Sequence, residues 1–196
     1  MDITKFHWLN ESRLTVDGEA FSIYAPPKSE YFNNPVPVNG EFIPPIVDAP
    51  VLYTEIEGDF VMRVRVKPNF LTNYDAACLM VIKDENVWFK GAFEKSDFGT
   101  TAVVTVVTNG LSDDANGCNI EGDTVWLQMA RVGNNFAVHY SLDGEKFDMV
   151  RLCWLPVDAT VKAGVEAQSP TGEGGEREFC CLTVEKKTVK DLRAGK

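Results

Sequence analysis

Ala76-Ala77-Cys78-Leu79-Met80-Val81-Ile82-Lys83, then Asn86-Val87-Trp88-Phe89-Lys90-Gly91-Ala92-Phe93-Glu94, then Thr101-Ala102-Val103-Val104-Thr105-Val106-Val107-Thr108, is the stretch that decides the fold. These runs are rich in β-branched and aromatic residues and broken by short polar segments, so they read as three consecutive antiparallel strands. Strand alternation puts Val87, Phe89, Gly91 and Phe93 on one side of the middle run, and Trp88, Lys90, Ala92 and Glu94 on the other. The first set is a core face, and the second must look away from the interior.

Working outward, similar runs occur at 13–16, 19–24, 51–57 and 59–67 on one side, and at 124–131, 135–141, 146–152, 161–168 and 178–185 on the other. No window of helical length carries a 3.6-residue apolar repeat with a cap at its start. The chain therefore reads as all-β, a two-sheet antiparallel β-sandwich. Asp17-Gly18, Glu57-Gly58-Asp59, Gly133-Asn134-Asn135 and Asp143-Gly144 tolerate positive φ and are expected at hairpin tips. Segment 25–50 holds Pro26, Pro27, Pro35, Pro37, Pro44, Pro45 and Pro50, which cannot donate to a ladder, so a long loop with short edge strands at most is expected. Residues 109–123 and 169–175 read as further polar loops, and 186–196 as a basic tail that frays. With no internal repeat or linker, residues 1–196 form one domain with its core in 6–185.

The formal charge of −10, from 29 acidic and 19 basic residues, disfavours phosphate backbones and anionic membrane surfaces. Neutral or cationic small molecules, or a protein surface, suit it better. The start lacks a basic segment followed by an apolar run, which sets a cytoplasmic location as the expectation. Five cysteines, an odd number without a CxxC pair, are expected to be reduced thiols. Neighbours on a regular strand point to opposite faces, so Cys180 and Cys181 are not expected to share a zinc ion.

Several strings, taken in order, resemble the regulation-of-enolase protein family. They are Phe6-His7-Trp8-Leu9-Asn10-Glu11, Leu52-Tyr53-Thr54-Glu55-Ile56-Glu57-Gly58-Asp59-Phe60, Leu79-Met80-Val81 with Asp84-Glu85 and Trp88-Phe89-Lys90-Gly91, Val107-Thr108-Asn109-Gly110 with Ser112-Asp113, Trp126-Leu127, Tyr140-Ser141-Leu142-Asp143-Gly144, Met149-Val150-Arg151-Leu152 and Ser169-Pro170. The resemblance spans about residues 6–185. It implies the concanavalin A-like lectin/glucanase jelly roll, whose concave face binds sugars in many relatives, and it implies no activity. The family name also raises an interaction with enolase or an effect on its level. This chain has Asp114 where the family pattern leads one to expect an aromatic, which removes a stacking platform.

Pairing 76–83 with 86–93 through an Asp84-Glu85 turn would set Leu79 opposite Lys90 and Asp75 opposite Glu94, and pairing onward to 101–108 would bring Thr105 beside Lys90. Elsewhere, Trp126 and Gln128 face outward with Gln128 opposite His139, and 161–168 leaves Glu166 and Gln168 on its polar side. Gathered on one face, Trp88, Lys90, Glu94, Asp75, Thr105, Gln128, His139, Glu166 and Gln168 form a candidate site for a carbohydrate or similar polyhydroxylated ligand. The competing reading is a solvated sheet face with a buried ion pair. Asp75 and Glu94 are also the candidate carboxyl pair of a glycoside hydrolase, which needs two such groups about 5–9 Å apart. Glu55, Glu57 and Asp59 have the spacing of a one-strand acidic motif, but Gly58 makes them a hairpin tip.

Other chemistries find less support. His7 and His139 are the only histidines, and neither is near a nucleophile elbow. No GxxxxGK[ST] or GxGxxG follows a strand, Gly172-Glu173-Gly174-Gly175 is a flexible acidic loop, and no cofactor is called for. Scattered loop oxygens leave a calcium ion open. A third class is a non-catalytic protein-interaction domain, using sandwich edges or the 25–50 segment.

Overall fold

The computed structural model describes residues 2–196. Two seven-stranded antiparallel sheets face each other. In spatial order the front sheet comprises β1 (His7–Leu9), β6 (Val51–Glu57), β15 (Thr160–Gln168), β8 (Ala76–Asp84), β9 (Val87–Lys95), β10 (Thr101–Asn109) and β11 (Leu111–Asn119). The back sheet comprises β14 (Asp148–Trp154), β13 (Asn135–Ser141), β12 (Val125–Val132), β7 (Phe60–Lys67), β16 (Gly175–Glu185), β3 (Ala20–Ala25) and β2 (Leu14–Asp17). A two-residue ladder joins β4 (Tyr31–Phe32) to β5 (Ile46–Val47). Among the described residues no helix is long and apolar enough to cross a membrane.

Each of the twelve expected strands is present, and the alternation sorts their faces. Leu79, Val81, Phe89 and Phe93 of the front sheet meet Met62, Val64, Met129, Phe136 and Val138 of the back sheet in one buried core. Burying a side chain of this size contributes about 1.5–3 kcal/mol. Gly91 lies on this inner face because a Cβ there would come within 2.7 Å of Val138 Cγ1.

Four expectations need correction. Residues 109–123 are mostly β11, an edge strand that Gly110, at φ +84°, folds back onto β10. Both faces of this edge are largely exposed, which removes the apolar alternation that would have marked it. Glu57-Gly58-Asp59 is no hairpin tip. Glu57 ends a ladder with Thr160 in the front sheet, whereas Phe60 begins one with Arg131 in the back sheet, so the turn carries the chain between sheets. The β8–β9 turn falls at Glu85–Asn86, and a bulge between Ile82 and Asp84 moves the register by one residue, pairing Met80 with Lys90 and Ala76 with Glu94.

Finally, the tail does not fray. Val189 packs with Val61 and Ala130, and Thr188 Oγ1 donates to Asp59 at 2.7 Å. The last residues thus cover part of the outer face of the back sheet.

Prolines also explain how segment 26–50 is held. Unable to ladder along its length, it is strapped over the outer face of the front sheet by side chains. Asn33 Nδ2 donates to the carbonyls of Glu85 and Gly110 at 3.1 and 3.0 Å, and Asn10 Nδ2 to those of Val47 and Ala49 at 2.7 and 2.9 Å. Under this strap lies a second apolar cluster that includes Tyr31, Val51, Met80, Trp88 and Val106.

Candidate functional site

Beside the strap the outer face of the front sheet is left partly uncovered, and there a hollow of about 340 Å³ opens. Its floor is built by β9 and β15, which bring Lys90, Glu94 and Gln168 together. Glu30 and Phe32 of the strap, Tyr74, Val106, Asp114, Pro170 and Thr171 form the walls.

Lys90 is held from two sides. Its Nζ donates to the Tyr31 carbonyl at 2.9 Å and to Gln168 Oε1 at 2.6 Å. A lysine ammonium has three donors, so one remains for a molecule in the hollow. Gln168 is fully committed: Nε2 donates to the Tyr74 carbonyl at 2.9 Å and to Glu94 Oε2 at 3.3 Å. It therefore acts as a brace that fixes the spacing of Lys90 and Glu94.

The electrostatics follow from burying several carboxyls around one cation. Burial raises Glu94 to about 8, with Lys90 opposing and Asp114, Glu30 and Glu166 reinforcing the rise. Burial also acts to lower Lys90, but Glu166, Cys78, Glu30 and Glu94 outweigh it, and the ammonium ends above its ordinary value. At neutral pH the floor thus presents a charged donor beside a protonated carboxyl, which can both donate and accept. Burial raises Glu30 as well. The hollow suits a ligand carrying several hydroxyl groups, with Phe32 and Tyr74 offering aromatic walls.

The remaining expected site residues lie elsewhere. Trp88 shares its face with Lys90 but is fully buried, Tyr31 packing edge-on at 5.9 Å, so it cannot stack on a ligand. Glu166 lies on the same face, beneath the strap side and outside the wall of the hollow. Its two carboxylate oxygens are buried without a hydrogen-bond partner among the described residues, and burial raises its pKa against the pull of Lys90. Thr105 points inward, because it pairs with Gly91 and not with Lys90; its hydroxyl is buried and unpaired.

Asp75 is a structural anion. Its Oδ1 lies 2.6 Å from Arg177 Nη2 and accepts from Ser169 Oγ at 2.7 Å, while Oδ2 accepts from the Leu71 and Thr72 amides at 2.9 and 2.8 Å. With Oδ1 held by Ser169 and the Arg177 ion pair and Oδ2 by two amides, Asp75 has no free role beside Glu94. The glycosidase pair expected from the sequence is therefore not formed. The acidic triplet is no better placed, since Asp59 is taken by the Gly133 amide and Thr188.

Gln128 and His139 do face each other, as their pairing required, but on the outer face of the back sheet, across the sandwich from Lys90. Arg63 Nε donates to Gln128 Oε1 at 2.6 Å, and Gln128 Nε2 contacts His139 Nδ1 at 3.3 Å and the Gly195 carbonyl at 3.2 Å. His139 Nε2 donates to the Leu192 carbonyl at 2.9 Å. This cluster clasps the tail. Among the described residues no three His, Cys, Asp or Glu side chains gather as a metal group.

Sequence reasoning missed Glu30, Phe32 and Tyr74. The first two sit in the proline-rich segment and the third in the turn before β8, where no periodicity assigns a face. Asp114 was visible as a departure from the family pattern, and it stands at the rim with a carboxylate where an aromatic was expected.

A family model described as "Protein of unknown function (DUF1349)" matches residues 8–187. Regulation of enolase protein 1 of Saccharomyces cerevisiae is 29% identical over 126 residues, covering 63% of this chain and 62% of that protein, so the chain spans less than two thirds of that relative. A solved structure of a functionally unknown protein from Saccharomyces cerevisiae superposes with a TM-score of 0.85 at 22% identity, over 96% of this chain and 100% of that one. The carbohydrate binding module CBM66 from Bacillus subtilis superposes with a TM-score of 0.56 at 12% identity, over 91% of this chain and 95% of that one. These likenesses support the jelly-roll sandwich.

Proposed function

Because the chain belongs to the family described as protein of unknown function (DUF1349), we propose from the chemistry of the hollow itself that it binds a small polyhydroxylated molecule, such as a sugar. The observation that carries this reading is the convergence of Lys90, protonated Glu94 and Gln168 under the aromatic walls of Phe32 and Tyr74. The volume falls within the range of small-ligand sites, about 300–1,000 Å³. A lysine with one free donor and a carboxyl that can donate or accept match the hydroxyls of a neutral polyol, and the acidic surroundings oppose phosphorylated or carboxylated ligands. The likeness to a carbohydrate binding module adds support at the level of fold.

The test is a calorimetric and thermal-shift screen with neutral mono- and oligosaccharides on the wild type, Lys90→Met and Phe32→Ala. Binding by the wild type, weakened at least tenfold in Lys90→Met with the fold retained, is the expected outcome. No binding across the panel, or equal binding by both variants, would overturn the proposal.

The name of the yeast relative favours a second reading, in which this domain regulates a metabolic enzyme such as enolase. It predicts that purified enolase changes its activity or co-elutes when the domain is added. Neither effect at micromolar concentration would retire it.

A further inference from the structure

Cys180 and Cys181 break the strand rule. Two residues of β16, Cys181 and Leu182, oppose the single Val64 of β7, because the ladder steps from Cys180↔Arg65 to Thr183↔Arg63. This bulge puts Cys181 at φ +60°, a left-handed conformation that a non-glycine residue adopts at some cost, with its amide bonded to the Glu19 carbonyl at 3.1 Å. In a flat strand the two thiols would point apart. Here Sγ of Cys180 lies 2.7 Å from Sγ of Cys181.

Both side chains are half-buried and each reaches a surface hollow. Cys180 lines one of about 260 Å³ with Arg65 and Lys67, and Cys181 lines another of about 240 Å³ with Glu19. We propose that Cys180 and Cys181 form a peroxide-sensitive dithiol that closes to a vicinal disulfide.

The bulge supplies what the chemistry needs: two sulfurs in contact, accessible, and preorganised on one side of the backbone. The thiol of Cys181 is pushed up to about 11, first by its hydrogen bond with Cys180 and then by burial. Cys180, which pairs across the ladder with Arg65 and lines a hollow with Arg65 and Lys67, is assigned as the attacking sulfur and Cys181 as the resolving one. In the first step the Cys180 thiolate attacks one peroxide oxygen. The O–O bond breaks, Cys180 becomes a sulfenic acid, and one water leaves after taking up a proton. In the second step the Cys181 sulfur attacks the Cys180 sulfur. The S–O bond breaks, the hydroxyl leaves with the Cys181 proton as a second water, and the S–S bond forms. Two thiols are oxidised by two electrons and one peroxide is reduced to two waters.

Closure needs the sulfurs to move only from 2.7 Å to about 2.05 Å. Adjacent Cα atoms sit about 3.8 Å apart, below the usual disulfide range of about 4.4–6.8 Å, so a small thiol should reopen the bond readily.

The experiment exposes the full chain to a stoichiometric amount of hydrogen peroxide, denatures it in N-ethylmaleimide, and reads intact mass and a non-reducing peptide map. The expected result is five maleimides before oxidation and three after it, with the peptide holding Cys180 and Cys181 lighter by two hydrogen atoms. Dithiothreitol restores all five. After peroxide, Cys180→Ser should keep its four remaining thiols alkylatable, whereas Cys181→Ser should keep three and carry an oxygen adduct on Cys180, and the wild-type map decides the matter even if either variant misfolds. Five maleimides after peroxide, stable oxygen adducts on Cys180 without loss of Cys181, or a disulfide to any other cysteine or chain would each overturn the proposal.

Discussion

Replacing Glu94 by Gln mimics the protonated carboxyl that the hollow holds and removes its titration. Folded Glu94 is raised to about 8 from an ordinary 4.5, first by burial. A raised carboxyl binds more protons in the folded than in the unfolded chain between those two values. Its stabilising contribution is therefore fully present below pH 4.5 and is lost as pH rises through 8. The window is about 3.5 pH units wide, and at about 1.36 kcal/mol per unit the loss has an upper limit of about 5 kcal/mol. Glu30 and Glu166 are raised too and share part of this proton balance, which reduces the share of Glu94 to about 2–5 kcal/mol. Urea unfolding followed by tryptophan fluorescence at pH 5 and pH 9 measures it. Glu94→Gln should match the wild type within about 1 kcal/mol at pH 5 and exceed it by about 2–5 kcal/mol at pH 9. An equal difference at both pH values would show that Glu94 is ionised at neutrality and refute the reasoning.

Three further predictions rest on other parts of the molecule. Asp75→Ala should cost about 3–5 kcal/mol in urea unfolding, because it strands Arg177 in the interior and orphans two amides; a loss under 1 kcal/mol would deny the pair its structural role. His139 is lowered from its ordinary 6.5, first by burial, so the unfolded chain binds more protons below that pH and stability should fall as the solution is acidified. Proton uptake at Nδ1 sets a donor against Gln128 Nε2, whose amide Arg63 holds in place, with Asp191 the nearby anion; the protection factors of amides in 188–196, with the intrinsic pH dependence of exchange divided out, should fall between pH 7 and pH 5, and His139→Leu should abolish that fall. Gly91→Ala should destabilise by about 1–3 kcal/mol, since its methyl would enter the space of Val138, and Val138→Ala should recover part of that loss in the double variant.

Alternation made the fold legible, and with it the faces of Lys90, Glu94, Glu166 and Gln168. It could not reveal which sheet a strand joins, because the outward sides of two packed sheets carry the same pattern. Gln128 and His139 were therefore grouped with Lys90 although the sandwich separates them. Register was lost at the bulge between Ile82 and Asp84, a single extra residue with no strong local signal. That slip set Asp75 against Glu94, and a separate one-residue slip across the 96–100 turn set Thr105 beside Lys90 although it pairs with Gly91. Trp88 was assigned to the correct face, but the strap that buries it comes from a proline-rich segment held by Asn10 and Asn33, side-chain bonds that leave no periodic trace. The second bulge, at Cys181, reversed another rule by bringing together two thiols that a regular strand would part.

The most direct test of the account is a difference density map from crystals grown with the sugar that gives the largest thermal shift. Density between Phe32 and Tyr74, with a hydroxyl within hydrogen-bond distance of Lys90 Nζ or the Glu94 carboxyl, is the result predicted. Density confined to the back sheet or another surface, with the hollow over Lys90 holding only solvent, would contradict it.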